Sequence, residues 1–308
     1  MNLQFNIRFH TTFGQTLWIS GNTEELGMDD PAAAIPMTYL NEESWHLSLQ
    51  IPRKNWPEEG LRYRYRFQDA DGQWISEWGN DRVLSLPRKH IEEISLLDTW
   101  NHAGEYENAF FTAPFKNVLL PQAAGRKKTK VSKSGSHIFR VKAPLLKKNE
   151  IICLLGSHLA LGEWAEDRAV PFSKEGDWWT CQLELPTGFG FPMAYKYGIY
   201  NVRESRFVGY EQGDNRILHG DSGPKQLTVI HDGFAHLPNN TWKGAGVAIP
   251  VFSLRSKNSF GVGEFTDIKL LVDWARETGL KLIQLLPVND TIATNSWTDS
   301  YPYAAISA

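Results

Sequence analysis

The sequence predicts a mainly-β chain: two antiparallel β-sandwiches of immunoglobulin-like type, followed by one βαβ unit that opens a different domain. Three observations carry this. The first 235 residues repeat themselves, both copies are built of short apolar runs between turn residues, and after about residue 240 the pattern becomes strand–helix–strand. Ser20-Gly21 with Glu25-Leu26-Gly27 returns as Gly156-Ser157 with Ala160-Leu161-Gly162. Trp45 with Leu49-Gln50-Ile51-Pro52 returns as Trp179 with Leu183-Glu184-Leu185-Pro186, and Tyr63-Arg64-Tyr65 as Tyr195-Lys196-Tyr197. Asn80-Asp81-Arg82-Val83-Leu84 returns as Asp214-Asn215-Arg216-Ile217-Leu218. The offsets stay between 132 and 135, a drift no larger than a loop change. A period this long means two copies of a whole domain, because solenoid units run to only about 20–50 residues.

Within each copy the strands announce themselves. Leu17-Trp18-Ile19, Trp45-His46-Leu47-Ser48-Leu49, Arg62 to Phe67 and Ile151 to Leu155 alternate or run continuously apolar, with Gly, Asn, Asp and Pro between them. No stretch of ten residues in 1–112 carries a helical stripe. The expected organisation is a first sandwich over 1–112, a linker over 113–134, a second sandwich over 135–236, and a separate segment over 243–308. The linker contains Arg126-Lys127-Lys128-Thr129-Lys130 and Lys133 without an interleaved aromatic, which suits a solvated spacer better than a single-strand nucleic-acid surface. In the last segment Gly246 to Phe252 reads as a strand. Ile268, Leu271, Val272 and Ala275 give Asp267–Thr278 one helical face, Gly279 caps that helix, and Leu280 to Pro287 is a second buried strand. Such a unit belongs to a parallel sheet, and two parallel strands with bare outer edges do not make a domain. The segment therefore reads as the first piece of a barrel or doubly wound fold.

The totals exclude several classes. A net charge of −3 argues against a nucleic-acid or anionic-membrane partner. No run is long enough to span a bilayer, and the amino terminus has no basic segment leading into an apolar one, so a cytoplasmic location is expected. Cys153 and Cys181 read as buried free thiols, and the nine His lack ligand spacing, so neither a metal nor another cofactor is expected. Twelve Trp beside ten Tyr and sixteen Phe exceed what loops need. Most should be core; a few facing outward would form flat apolar platforms for sugar rings.

Position within the repeat separates these roles. Leu161-Gly162-Glu163-Trp164, Tyr195-Lys196-Tyr197 and Tyr210-Glu211-Gln212-Gly213-Asp214-Asn215-Arg216 together resemble the starch-binding modules of carbohydrate-binding family 20, across nearly all of 136–235. The resemblance implies a β-sandwich that binds α-1,4-glucans. In it Trp164 and Tyr210 are the platforms, and Lys196, Glu211 and Asn215 bond sugar hydroxyls. Tyr210 stands where the family usually has Trp. The first copy resembles the same family with departures: Asp29 or its neighbour replaces the platform Trp, Arg64 replaces Lys, and Asp81-Arg82 stands for Asn-Arg. It keeps Phe13-Gly14 and Tyr39 near positions of a second family glucan site, so the copies are expected to divide the labour. Trp74 and Trp78 lie by the vacated position, as substitute platforms or as core, and Arg64 and Trp78 join Phe13 and Tyr39 as first-module binding candidates.

Ala248 to Ser256, Phe260-Gly261-Val262-Gly263-Glu264-Phe265, Gln284 to Asp290 and Asp299-Ser300-Tyr301-Pro302-Tyr303 resemble the start of glycoside hydrolase family 77. These are 4-α-glucanotransferases on a (β/α)8 barrel; two starch-binding modules before such a barrel resemble the plant-cytosolic-type architecture. The resemblance implies a retaining double displacement without a cofactor, its carboxylates on later strands beyond Ala308, and no catalytic residue within this chain. Asp290 and Asp299 then read as turn or supporting residues, and Tyr303 as a donor-subsite residue. The other expectation is a non-catalytic starch- or glycogen-binding protein.

Overall fold

Alternation fixes the longest strand of the first copy. In Leu61-Arg62-Tyr63-Arg64-Tyr65-Arg66-Phe67-Gln68 the apolar residues are buried and the charged ones face outward, the period of two that a half-covered sheet demands. A computed structural model describes residues 1–80, 82–120, 135–185, 191–220, 222–238 and 241–288. They form two units, Met1–Asn240 and Thr241–Ala308.

The first copy contributes β1 (Asn2–Arg8), β2 (Thr16–Gly21), β3 (Ile35–Pro36), β4 (Thr38–Asn41), β5 (Ser44–Gln50), β6 (Leu61–Gln68), β7 (Trp74–Ser76), β8 (Val83–Leu84) and β9 (Glu93–Thr99). The second repeats them in order: β10 (His137–Lys142), β11 (Glu150–Gly156), β12 (Val170–Pro171), β13 (Ser173–Glu175), β14 (Trp178–Leu183), β15 (Met193–Asn201), β16 (Arg206–Tyr210), β17 (Arg216–Leu218) and β18 (Gln226–Phe234). In each copy one sheet runs β3-β2-β6-β7 or β12-β11-β15-β16, with β8 or β17 also on the long strand. The facing sheets are not separate. Parallel pairing of β9 with β18 joins them into one eight-stranded sheet, β13-β14-β10-β18-β9-β1-β5-β4.

The register of that junction decides how the sandwiches stack. Asp98 and Asp232 are repeat equivalents, 134 apart, yet the ladder pairs Leu96 with Val229 and Asp98 with His231, 133 apart. A one-residue slip turns a strand over. The two cores therefore form on opposite faces of the shared sheet. Leu227 and Val229 of β18 are buried in the first core beside Phe5, Ile94 and Leu96, while Leu97 of β9 packs on the second with Phe139 and Ile230.

Each core encloses the same polar knot. Tyr63 and Tyr65 donate to Asp98 at 2.9 and 2.6 Å; Tyr195 and Tyr197 donate to Asp232 at 2.7 and 2.9 Å. Arg82 lies 3.1 Å from Asp98 and pairs with buried Glu77; Arg216 pairs with buried Glu211 at 2.9 Å and donates to the Asp232 and Phe234 carbonyls. The junction ties each knot to the other copy, His231 to Asp98 and Arg8 to Asp232, both at 2.5 Å. Burial alone would raise both aspartic acids, but Arg82 and His231 hold the Asp98 carboxyl well below the usual carboxylate range, and Arg8 and Arg216 lower the Asp232 carboxyl. Burial drives His231 the other way, toward the neutral form, against the pull of Asp98.

Two expectations for this unit need comment. Cys153 and Cys181 are buried free thiols, and burial pushes both up to about 12. The spacer is less free than predicted. Phe115–Leu119 form a single π-helical turn, Lys116 bonds Asp177 at 2.5 Å, and Phe111 just ahead lies against Phe234. The basic run 126–133 lies outside the described residues.

In the second unit β19 (Gly246–Ile249) pairs parallel with β20 (Leu282–Leu285), connected by helix α1 (Asp267–Glu277). Gly279, at φ +77°, closes a Schellman cap in which Leu280 donates to Ala275 and Gly279 to Arg276. The helical face is narrower than predicted: Ala275 is buried, but Val272 is exposed. Among the described residues no helix is long and apolar enough to cross a membrane.

The charged knots set an acid limit. Asp98 and Asp232 bind protons less readily folded than unfolded, so their contribution is complete above the unfolded value near about 4 and is lost as pH falls below it. His231, with a depressed folded value, adds a shallower loss starting below about 6.5. Melting curves of Asp98→Asn against pH should show a flattened acid limb. At pH 7 removing the charge that Arg82 faces should cost about 3–5 kcal/mol.

Candidate functional site

The site forms on the outer face of the second copy, where the chain leaves β11 and turns sharply. Gly162, Glu163 and Trp164 adopt φ of +75°, +48° and +63°, three left-handed residues in a row. At Gly162 the turn admits no side chain, since a Cβ would stand 2.7 Å from the Arg168 carbonyl oxygen. Non-glycine residues in this region cost about 1–3 kcal/mol each and collect where geometry serves function. Here the strain carries an indole out of the loop. Trp164 is half-buried, 6.3 Å from the Tyr210 ring at 64°, and its carbonyl accepts from the Tyr210 hydroxyl at 3.4 Å.

Tyr210 ends β16 opposite Gly198 of β15. That glycine is required. A Cβ there would meet the Phe207 ring at 2.4 Å, and Phe207 backs Tyr210 at 4.6 Å between ring centres. Two residues earlier on the same face, Lys196 donates to the Gly213 carbonyl at 2.5 Å and so anchors the loop that exposes Asn215. Two angled rings with an ammonium and an amide at their edge suit a pyranose, with its apolar C–H face and hydroxyl rim.

Glu211 does not belong to this surface. It is 3% exposed, and its oxygens accept from Arg216, the Tyr197 amide and the His236 amide. It follows Tyr210 on the chain, so strand alternation sends it inward, and it braces the knot instead of meeting sugar. Sequence reasoning also missed Gly198 and Phe207; a glycine inside the strand Tyr195–Tyr200 was the available signal.

The starch binding domain model matches residues 1–95 and again 137–230, more than half of the chain. The chain belongs to that family. The glycoside hydrolase 77 model, described as 4-alpha-glucanotransferase, matches residues 249–308. The chain is 33% identical along its whole length to the 4-alpha-glucanotransferase DPE2 of Oryza sativa subsp. japonica, of which it spans 33%. Over 20% of its length it is 44% identical to the 4-alpha-glucanotransferase of Chlamydia caviae, of which it spans 11%. Among solved structures, the family 20 module of a maltotetraose-forming amylase from Pseudomonas saccharophila is 18% identical, with 30% of this chain and 97% of that one aligned at a TM-score of 0.26.

The first starch-binding module builds the same turn with other residues. Gly27, Met28 and Asp29 take φ of +77°, +52° and +61°, which places Asp29 where the second module has Trp164. Ser76 pairs with Arg66 as Tyr210 pairs with Gly198, so the second ring is missing too. Arg64 faces outward in a polar groove lined also by Asp29, Arg62, Arg66 and Ser76. Trp78 does not line it: the residue is half-buried, and its backbone is held by Asn101. Trp74, two residues before Ser76, is 43% exposed, with its ring beside Trp18 and under Arg66. Phe13 is fully exposed in the β1–β2 turn, and Tyr39 on edge strand β4 is 54% exposed beside Trp45. Tyr303, Asp81, Asp290 and Asp299 lie outside the described residues.

Gly198→Val should drive Phe207 and with it Tyr210 from place. Isothermal titration with maltoheptaose should show at least tenfold weaker binding at the second module, while Gly220→Ala, in open space and with no left-handed φ, should cause a far smaller change.

Proposed function

We propose that this chain is the glucan-holding part of a 4-α-glucanotransferase: it captures α-1,4-glucans such as starch, glycogen or maltooligosaccharides on its starch-binding modules, which precede the start of a family 77 barrel in the sequence. The observation that carries this reading is the paired half-open rings of Trp164 and Tyr210 on a strained turn, in a chain that matches the two families in this order. The complete enzyme transfers glucan segments by a retaining double displacement, in which a carboxylate nucleophile takes the glycosyl group and a second carboxyl group serves as acid and then base. Such enzymes place their catalytic groups on several strand ends of the barrel. No cofactor takes part.

The modules divide the work. The second holds a glucan segment on Trp164 and Tyr210, with Lys196 and Asn215 at the rim. The first holds another on exposed Phe13 and Tyr39. The second copy has Lys147 and Lys148 near the Phe13 position and Ser173 in place of Tyr39, so only the first offers these rings. Two tethered sites raise avidity for a polymer by about 10²–10⁴ over either alone. The cytoplasm is the proposed setting.

The 308-residue chain is expected to bind maltoheptaose without disproportionating maltotriose; measurable release of glucose from maltotriose contradicts the placement of the carboxylates. Trp164→Ala should weaken maltoheptaose binding at the second module by tenfold or more and abolish the fluorescence change there. A Phe13→Ala, Tyr39→Ala double variant should retain that fluorescence change but bind soluble starch less tightly. Equal starch affinity in that variant and the parent rules out the division of labour.

A further inference from the structure

The groove that the first module keeps at its vacated platform position is cationic. On β6 the outward residues are Arg62, Arg64 and Arg66, where the second module has Ala194, Lys196 and Gly198. Alternate residues of a strand share a face about 6.6 Å apart, so three guanidinium groups line one wall. The groove measures about 570 Å³, with Asp29, Ser76 and Asn80 also along it. Arg62 pairs with Asp29 at 2.7 Å, both partners close to half exposed. Arg66 donates to the Pro31 carbonyl at 2.8 Å and lies 4.9 Å over the Trp74 ring. Arg64, between them, makes no ion pair among the described residues. Among the described residues, one carboxylate faces three guanidinium groups along this wall.

We infer that this groove binds a phosphate monoester carried on a glucose unit. A neutral sugar rim needs hydrogen-bond donors but no cluster of three cationic groups, and exchanging both rings for Asp29 and Ser76 removes the stacking that a neutral glucan needs. A phosphate monoester carries nearly two negative charges at pH 7 and three acceptor oxygens, and guanidinium groups bond it in a bidentate fork. A bare anion would leave most of the volume empty, which falls in the range of sites for small organic ligands. Pro31 and Val83 supply an apolar strip along the groove, and Ser76 and Asn80 supply polar groups for the attached ring. Arg64 is the free fork of this site, and Arg62 is released to it when the ligand displaces Asp29.

The test uses the whole 308-residue chain and isothermal titration with glucose 6-phosphate, maltoheptaose bearing a 6-phosphate, and inorganic phosphate, at low and physiological salt. Saturable binding of either sugar phosphate, at least tenfold tighter than inorganic phosphate and weaker at higher salt, is expected. Binding of both points to a free sugar phosphate as sufficient; binding of the phosphorylated chain alone assigns the site to modified glucan. Arg64→Gln, at an exposed position, should keep the parent melting temperature and lose sugar-phosphate affinity tenfold or more. Trp164→Ala isolates this site from the proposed neutral-glucan site: sugar-phosphate binding persists in it whether or not maltoheptaose binding there is real. Equal affinity for inorganic phosphate and both sugar phosphates, or sugar-phosphate binding indifferent to Arg64→Gln, overturns the inference.

Discussion

The difference of one residue between the repeat and the β9–β18 ladder governs the architecture of the first unit. Two strands of like sequence lie side by side, and if they paired with equivalent residues opposite each other, both copies would build their cores on one face. The slip lets Leu96 and Val229 close one core while Leu97 and Ile230 close the other. It also explains the crossed contacts between the knots. His231 faces Asp98 because both belong to the first copy's side of the sheet, and Arg8 reaches Asp232 because both belong to the second's. Each buried aspartate thus takes one of its hydrogen-bond partners from the neighbouring copy, and a charge buried without its partners is expensive.

Much of this was legible in the residues. The period near 134, the turn residues between apolar runs, and the change to strand–helix–strand after residue 240 all follow from side-chain periodicity, which is a local property. The fusion of the two sheets was not anticipated, because pairing between distant edges depends on tertiary contact. A trace of it was nevertheless present. Ile94-Ser95-Leu96-Leu97 and Leu227-Thr228-Val229-Ile230 run nearly continuously apolar, as strands covered on both faces do, while the outer strand β6 alternates strictly.

The candidate site was readable to the extent that it depends on chain position. Trp164 and Tyr210 stand on neighbouring elements with their rings partly open, and Lys196 and Asn215 flank them. Glu211 was misplaced because proximity along the sequence carries no information about facing; one step along an extended chain reverses it. The first module shows the converse. Its arginines alternate plainly in the sequence, but the groove they line emerges only when Asp29 and Ser76 are seen to occupy the places of the two missing rings.

A shared sheet also constrains how such a pair can change over generations. Deleting either copy would strip the other's terminal strand of its neighbour and bare a row of unpaired amides and carbonyls, an invitation to self-association. The duplicate is therefore locked in by its own scaffold, while its outward residues stay free to drift toward new ligands. Inward, the Tyr-x-Tyr, Asp, Arg and Glu framework is identical in both copies; outward, one copy carries a carboxylate where the other carries an indole. Specialisation without separation is what this arrangement permits.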